Sequence, residues 1–344
     1  MQGVPVREAR QVRVMRLPAP RGPITAELFG RLAGPPGEMT PLPEPATPSL
    51  HDGDLQLALF ACYELHYRGF DGVDESWEWE PSLLRERARL ERCFESALAE
   101  AVPRPLPVPP GQVRRALAGL CGSGDGRMSR HLRRGATLEQ FREFVMHRSL
   151  YHLKEADPHS WGIPRLYGRA KAALVEIQAD EYGGGRQERM HAELFRATMR
   201  GLGLDDSYGA YLDRAPGITL AVSNVMSLFG LHRRRRGALA GHLAALEMTS
   251  SLPNRRYAAG LRRLGGDDTT ALFYDEHVQA DAVHEQIAAH DLCGGLAEAE
   301  PELIGDILYG AACALTLDDL WAAHVMDRWA RGESSLETAG QLVP

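Results

Sequence analysis

The chain has few cysteines, and none stands in a metal-binding spacing. Cys62, Cys93, Cys121, Cys293 and Cys313 are five, an odd number, and no two form a CxxC pair. That excludes a disulfide framework and a cysteine zinc site, and Cys313, in an apolar helical stretch, reads as a small core hydrophobe. No apolar run approaches the roughly 20 residues that span a bilayer. The N-terminus carries arginines and prolines without an apolar segment, so no secretory signal is read there and the cytoplasm is the expected compartment. Strand-like alternation of apolar and polar residues is absent as well. Neither sign of charge dominates: 39 Lys and Arg against 46 Asp and Glu leave a net −7, which points to no nucleic acid and no membrane as partner. The one basic run, Arg233 to Arg236, is expected to be a solvated loop or helix end.

Helix is what the sequence does contain. Residues 1–50 are rich in proline and arginine, clustered at Pro35-Pro36 and from Pro41 to Pro48, and are expected to form an irregular extension that wraps the surface. Helices are expected from Leu55 to Tyr67 and from Pro81 to Ala101, followed by a proline linker from Pro103 to Pro110 and a break at Gly122 to Gly126. Thr137 and Gln140 form a capping box that opens a helix expected to run to Ala156, stopped by Asp157-Pro158. Further helices are expected over 163–182, 186–202, 206–213, 217–231, 236–249, 253–264, 268–291 and 301–330. The triple glycine at 183–185 interrupts what would otherwise be one long helix. The fold class is therefore all-α, with short connections that imply antiparallel neighbours in a bundle. The expected division is an extension over 1–50, helices over 51–130 packed on the bundle, the main domain over 131–332 and a tail over 333–344.

The sharpest local pattern is His277, Asp281 and His284. A helix turns about 100° per residue, so positions four and seven along return to about +40° and −20° of the first. One face thus carries imidazole, carboxylate and imidazole; Glu276 lies about 100° off it. Other helices repeat the theme. Glu155 stands just before the Asp-Pro stop, Glu181 ends the next helix, and His191 follows the glycine break. Glu247 closes an otherwise apolar run from Leu239 to Met248, where a buried carboxylate needs a cation or a hydrogen-bond partner. Four carboxylates and three histidines without thiolate suit iron or manganese better than structural zinc or an iron–sulfur cluster. Glu188 and His191 also form a Glu-x-x-His pair, so Glu188 is an alternative to Glu181.

The order Glu155, Glu181, His191, Glu247, His277, Asp281, His284 resembles the haem-oxygenase-like di-iron oxidases of the iron-containing redox enzyme family. It is most similar to the subgroup that N-oxygenates amino-acid nitrogens. The resemblance implies a haem-oxygenase-like helical bundle holding two Fe(II) per chain, the second of them labile, with dioxygen as co-substrate and no haem. It further implies that Glu155, His191 and His284 hold one iron, that Glu247, His277 and Asp281 hold the other, and that Glu181 bridges them. The expected activity is N-oxygenation of an amine or guanidine of an amino-acid-like small-molecule substrate in specialised metabolism. It would draw on an external electron donor, and related bundles suggest a homodimer. Two other outcomes stand beside it. One is desaturation or oxidative C–C cleavage of an amino or fatty acid by the same iron pair. The other is a non-catalytic helical binding protein whose inward carboxylates are explained by salt bridges; metal content separates it from the enzymes.

Other polar residues are read as structural. Glu64 and His66 are two apart and cannot share a helical face. His152, three before Glu155, is either a partner that orients it or a histidine of the core edge. His232, His242, His290 and His324 are read as structural or exposed, and Asp318-Asp319 as a candidate partner for a ligand histidine. Arg165, Arg189 and Arg255 are candidates for a substrate carboxylate, without a basis for choosing among them.

Overall fold

A computed structural model describes residues 14–338 apart from 46, 47, 123 and 125; the side chains of 279–282 also lie outside the described set. The helices are α1 (Pro23–Leu32), α2 (Gly53–Glu64), α3 (Pro81–Ala101), α4 (Val113–Cys121), α5 (Arg127–Arg134), α6 (Leu138–His152) and α7 (Asp157–Ser160). They continue as α8 (Gly168–Glu181), α9 (His191–Gly201), α10 (Gly217–Leu231), α11 (Arg236–Arg263), α12 (Asp268–Gln286), α13 (Gly295–Ala299) and α14 (Ile304–Ala330). A π-helical segment, Ile287–Gly294, joins α12 to α13. No strand occurs among the described residues.

Local chemistry sets several starts. The Thr137 hydroxyl accepts the Gln140 N–H and the Gln140 side chain accepts the Thr137 N–H, a closed capping box at the head of α6 worth about 1 kcal/mol. Asp52 accepts the N–H groups of Asp54 and Leu55 at the start of α2. Asp267 does the same for Thr270 in α12.

The structure corrects several expected boundaries. α6 ends at His152, and Asp157-Pro158 opens α7 rather than stopping α6; proline at the first turn of a helix loses no bond, because that N–H has no partner there. Between the two helices Ala156 takes φ 73°. α11 runs unbroken through Pro253 where a break was expected. The hydroxyls of Thr249 and Ser250 bond back to the Ala245 and Glu247 carbonyls just upstream, and packing of the helix on its neighbours outweighs the roughly 3 kcal/mol cost of an internal proline. Residues 206–213 form no α-helix, only a 3-10 turn at Leu212–Arg214. The N-terminal segment is less irregular than its prolines suggest: it contains α1 and contributes Ile24, Leu28, Leu32 and Leu42 to the main core.

The bundle is tightest between α11 and α14. A Cβ on Gly241 would lie 1.8 Å from the Ile307 carbonyl oxygen, and one on Gly310 would lie 1.9 Å from that of Ala238. These two glycines let the helix backbones touch, as no larger residue could. The close crossing fixes α11, and with it Glu247, in the middle of the bundle.

Candidate metal centre

The expected site residues come from five places in the chain and converge in the interior. Glu155 sits in the turn between α6 and α7 rather than in the last turn of α6. Glu181 is the last residue of α8, His191 the first of α9, Glu247 lies within α11, and His277 and His284 lie on α12. Glycines at 183–185, all with positive φ (67°, 60° and 79°), turn the chain sharply between α8 and α9. A Cβ on Gly183 would stand 2.6 Å from the backbone of Arg189 and Met190. That turn brings His191 back against Glu181.

Two groups result. Glu155, Glu181, His191 and His277 each present a ligand atom with all of them within 4.8 Å of one another, and so do Glu181, Glu247 and His284. Glu181 belongs to both. The grouping differs from the division implied by the resemblance: His277 stands with Glu155 and His191, and His284 with Glu247. The physical reason is the path of α12, whose first half packs on α9 while its last turns reach α8 and α11. Asp281 lies on the same helix between the two histidines, but its side chain is outside the described residues. Glu188, the alternative to Glu181, is exposed on the 3-10 turn after the glycines.

The hydrogen bonding is incomplete in a telling way. His191 Nδ1 and Glu181 Oε2 are 2.8 Å apart, yet neither has a hydrogen-bond partner, and Glu155 Oε2 and His284 Nδ1 are likewise unpartnered. All four atoms are buried, and each orphaned polar atom costs roughly 1–3 kcal/mol. Adjacent ligands on a six-coordinate metal with bonds near 2.1 Å are separated by about 3 Å. Donor atoms that close, aimed past one another, fit a cation between them. Histidine orientation agrees. His277 Nδ1 donates to the Phe273 carbonyl at 2.7 Å, leaving Nε2 free, 3.9 Å from Glu155 Oε2. His284 Nε2 bonds Asp180 at 3.0 Å, leaving Nδ1 free, 3.4 Å from Glu247. Fixing one ring nitrogen to aim the other is how metal-binding imidazoles are usually held. His152 holds Glu155 Oε1 at 2.8 Å, the orienting role that was one of the two alternatives for it.

Electrostatics point the same way. Burial pushes the Glu155 carboxyl up, but His152, His277 and His191 more than offset this and bring it to about 2. Burial holds the Glu181 carboxyl above the usual carboxylate range, and His191 only partly counters it. Burial lowers His191, but Glu181 and the other carboxylates outweigh that and raise it. The Glu181–His191 pair therefore retains a proton at neutral pH, which a bound cation would displace.

Most of the residues set aside find ordinary partners. Asp318 pairs with Arg148 and not with a ligand histidine. His242 contacts His159 at 3.2 Å, His290 contacts Asp291, and His324 contacts the Ser335 carbonyl. His66 lies between Glu78 and Arg87. His232 is half-buried against Glu91, and Arg234, Arg235 and Arg236 of the basic run are neutralised by Glu95, Asp306 and Glu300. Arg165 donates to the Gly230 and Leu231 carbonyls, while Arg189 and Arg255 are exposed. Asp180 escaped notice in the sequence, because an exposed aspartate beside a candidate ligand carries no signal until His284 is seen against it.

An all-α, haem-oxygenase-like bundle with a buried carboxylate–imidazole cluster defines an iron-dependent oxidoreductase. Residues 142–319 match the family described as "Iron-containing redox enzyme", and the chain belongs to that family. Nitrosourea synthase of Streptomyces achromogenes subsp. streptozoticus is 28% identical over 161 residues, which are 46% of this chain and 34% of the relative. The chain thus matches about a third of the length of that relative. No helix among the described residues is long and apolar enough to cross a membrane.

Proposed function

We propose that the chain is a non-haem di-iron oxygenase that activates dioxygen and N-oxygenates an amine or guanidine of an amino-acid-like substrate. The observation that carries the iron site is the set of four buried, unpartnered donor atoms: Glu155 Oε2, Glu181 Oε2, His191 Nδ1 and His284 Nδ1. Glu155, His191 and His277 would hold one iron, Glu247 and His284 the other, with Glu181 between them and Asp281 added from the same face of α12. Iron at this site supplies Lewis acidity and the electrons with which dioxygen is activated, renewed by an external donor. The protein's own part is to orient and to exclude water. Asp180 and the Phe273 carbonyl aim the two α12 imidazoles, and His152 aims Glu155. The rings of Phe195 and Phe273, 4.9 Å apart, pack against His152, and Phe273 also packs on His277, forming an apolar wall on one side. The name of the related nitrosourea synthase supports nitrogen as the atom oxidised.

Anaerobic titration of the apo-protein with Fe(II), followed by mixing with oxygenated buffer, tests the reading. Uptake near two irons per chain, cut by His277→Ala and Glu181→Ala, with dioxygen consumed on mixing, is expected. Iron uptake that is absent, or unchanged in those variants, would overturn it.

A further inference from the structure

We propose that the arginine-rich face formed by α5 and the last turns of α11 docks an acidic one-electron carrier protein, which reduces the iron pair through the aromatic packing between Tyr257 and His277. The inference rests on the proposed function for the iron that receives the electrons, and on the arginine face alone for the docking.

Residues 127–134 contain four arginines and residues 255–263 four more, with no carboxylate in either stretch, although the chain carries a net −7. The two stretches lie against each other. A Cβ on Gly260 would stand 2.3 Å from the Leu132 carbonyl oxygen. Arg256 donates to the Ser129 hydroxyl at 3.0 Å, and Arg263 donates to the Leu132, Arg133 and Ala136 carbonyls at 3.2, 2.9 and 2.7 Å. Those acceptors are neutral, so the bonds hold the arginines in place without cancelling their charge. Arg133, Arg134 and Arg255 are exposed, and none of the three is in an ion pair among the described residues. The acids in the first half of α6 are already engaged, Glu139 with Arg142 and Glu143 with Trp329 and Ser335. A cation at the C-terminal end of α5 suits the helix dipole, which accounts for Arg263; Arg256 stands at the other end, beside Ser129, where the dipole opposes it. Positive charge gathered in this way steers an acidic partner, and electron-transfer proteins meet through small, weak contacts of that kind.

The same segment of α11 leads to the metal cluster through packed rings. Tyr257, the residue after Arg256, is half-buried, and its ring lies 5.7 Å from that of Tyr274. Tyr274 lies 5.3 Å from Phe273, and Phe273 lies 4.3 Å from His277, whose Nε2 is turned toward the cluster. Arg262, at the edge of the face, is paired with Asp268 and Asp275, and the second of these ties α11 to α12 just before His277. Each encounter passes one electron: the carrier is oxidised by one, a ferric ion becomes ferrous, and no bond is made or broken. The rings serve as a packed medium for tunnelling and are not themselves reduced.

An acidic two-iron, two-sulfur ferredoxin is the probe. Calorimetric titration should show binding that weakens on the order of tenfold between about 50 and 300 mM salt. Arg133→Glu and Arg134→Glu are each expected to weaken it by about 5- to 10-fold, while Arg92→Glu, the same charge change at an exposed arginine of α3, is expected to leave it within about twofold. Stopped-flow reduction of the oxidised, iron-loaded protein by reduced ferredoxin should slow in the two α5 variants. Their iron uptake and their reduction by dithionite should match wild type, which also shows that they fold. Ferredoxin that does not bind wild type, or that binds the α5 variants as tightly, overturns the proposal. So does a single-stranded DNA oligonucleotide that binds wild type more tightly than ferredoxin and is lost in the same variants. If wild type takes up no iron, the proposed function fails by itself, and the titrations on iron-free protein still decide the docking face.

Discussion

Lys154 and Glu155 are neighbours in the chain, both are buried, and they belong to opposite kinds of site. The Lys154 ammonium meets Glu64 at 3.2 Å, with side-chain exposures of 1% and 0%. Tyr208 donates to the same carboxylate at 2.8 Å, and the Tyr67 and Phe60 rings lie 4.4 and 5.0 Å from the cation. That charge is answered by an opposite one where it stands, although Glu64 Oε1 has no hydrogen-bond partner. Glu155 belongs to a cluster of three carboxylates in which no lysine or arginine among the described residues forms an ion pair; the cluster's salt-bridge partners are histidines only. The same turn thus carries a pair that closes on itself and an acid that does not. A closed pair contributes to the fold, whereas an open cluster of like charge needs something from outside.

Breaking the closed pair should have the largest effect. Lys154→Met leaves Glu64 buried without its cation and is expected to cost about 3–5 kcal/mol in urea unfolding. Because the loss lies in the fold, saturating Fe(II) should shift wild type and variant alike; a defect that iron cancels would place Lys154 in the open site instead. Glu181→Gln sharpens the contrast with the opposite sign. At pH 8 it removes one of three crowded, buried carboxylates, and the iron-free variant is expected to be about 2 kcal/mol more stable than wild type while taking up less iron. Lower stability in the apo state would mean that the cluster is held by its own ion pairs, as the binding-protein reading requires.

How far this contrast could be read in advance depended on whether a feature was local. The capping box of Thr137 and Gln140, the span of α10 and the glycine turn at 183–185 are written in adjacent residues, and the structure shows each as expected. Carboxylates in apolar runs, Glu247 above all, marked the interior because a charge there needs a reason. What failed was tertiary. Asp157-Pro158 reads equally as a helix stop or a helix start, and only the ending of α6 at His152 decides it. Nothing in the sequence weighs packing on α11 against its internal proline. The sharing of His277 and His284 between the two groups depends on where α12 crosses α8, α9 and α11, which no spacing along α12 encodes.

The smallest expected effect comes from a second closed network. His147 Nδ1 contacts the Thr219 hydroxyl at 2.8 Å and Nε2 contacts the Ser335 hydroxyl at 3.0 Å. Ser335 gives its one proton to Glu143 at 2.6 Å, so it must accept from His147 Nε2–H, and Nδ1 must accept from Thr219. The neutral ring is fully satisfied, with no lone pair left for a metal or a proton. Burial accordingly lowers His147 to about 3, with His324 adding to the effect. The unfolded chain takes up that proton near pH 6.5 and the folded chain does not, so the stabilisation is complete above pH 6.5 and declines as the pH falls toward 3. From pH 6.5 to 5.5 the decline is about 1 kcal/mol for this group. Urea unfolding at the two pH values should show wild type losing that much more than His147→Gln. An equal loss in both would mean that the ring accepts a proton in the fold, and that the network is as open as the cluster around Glu181.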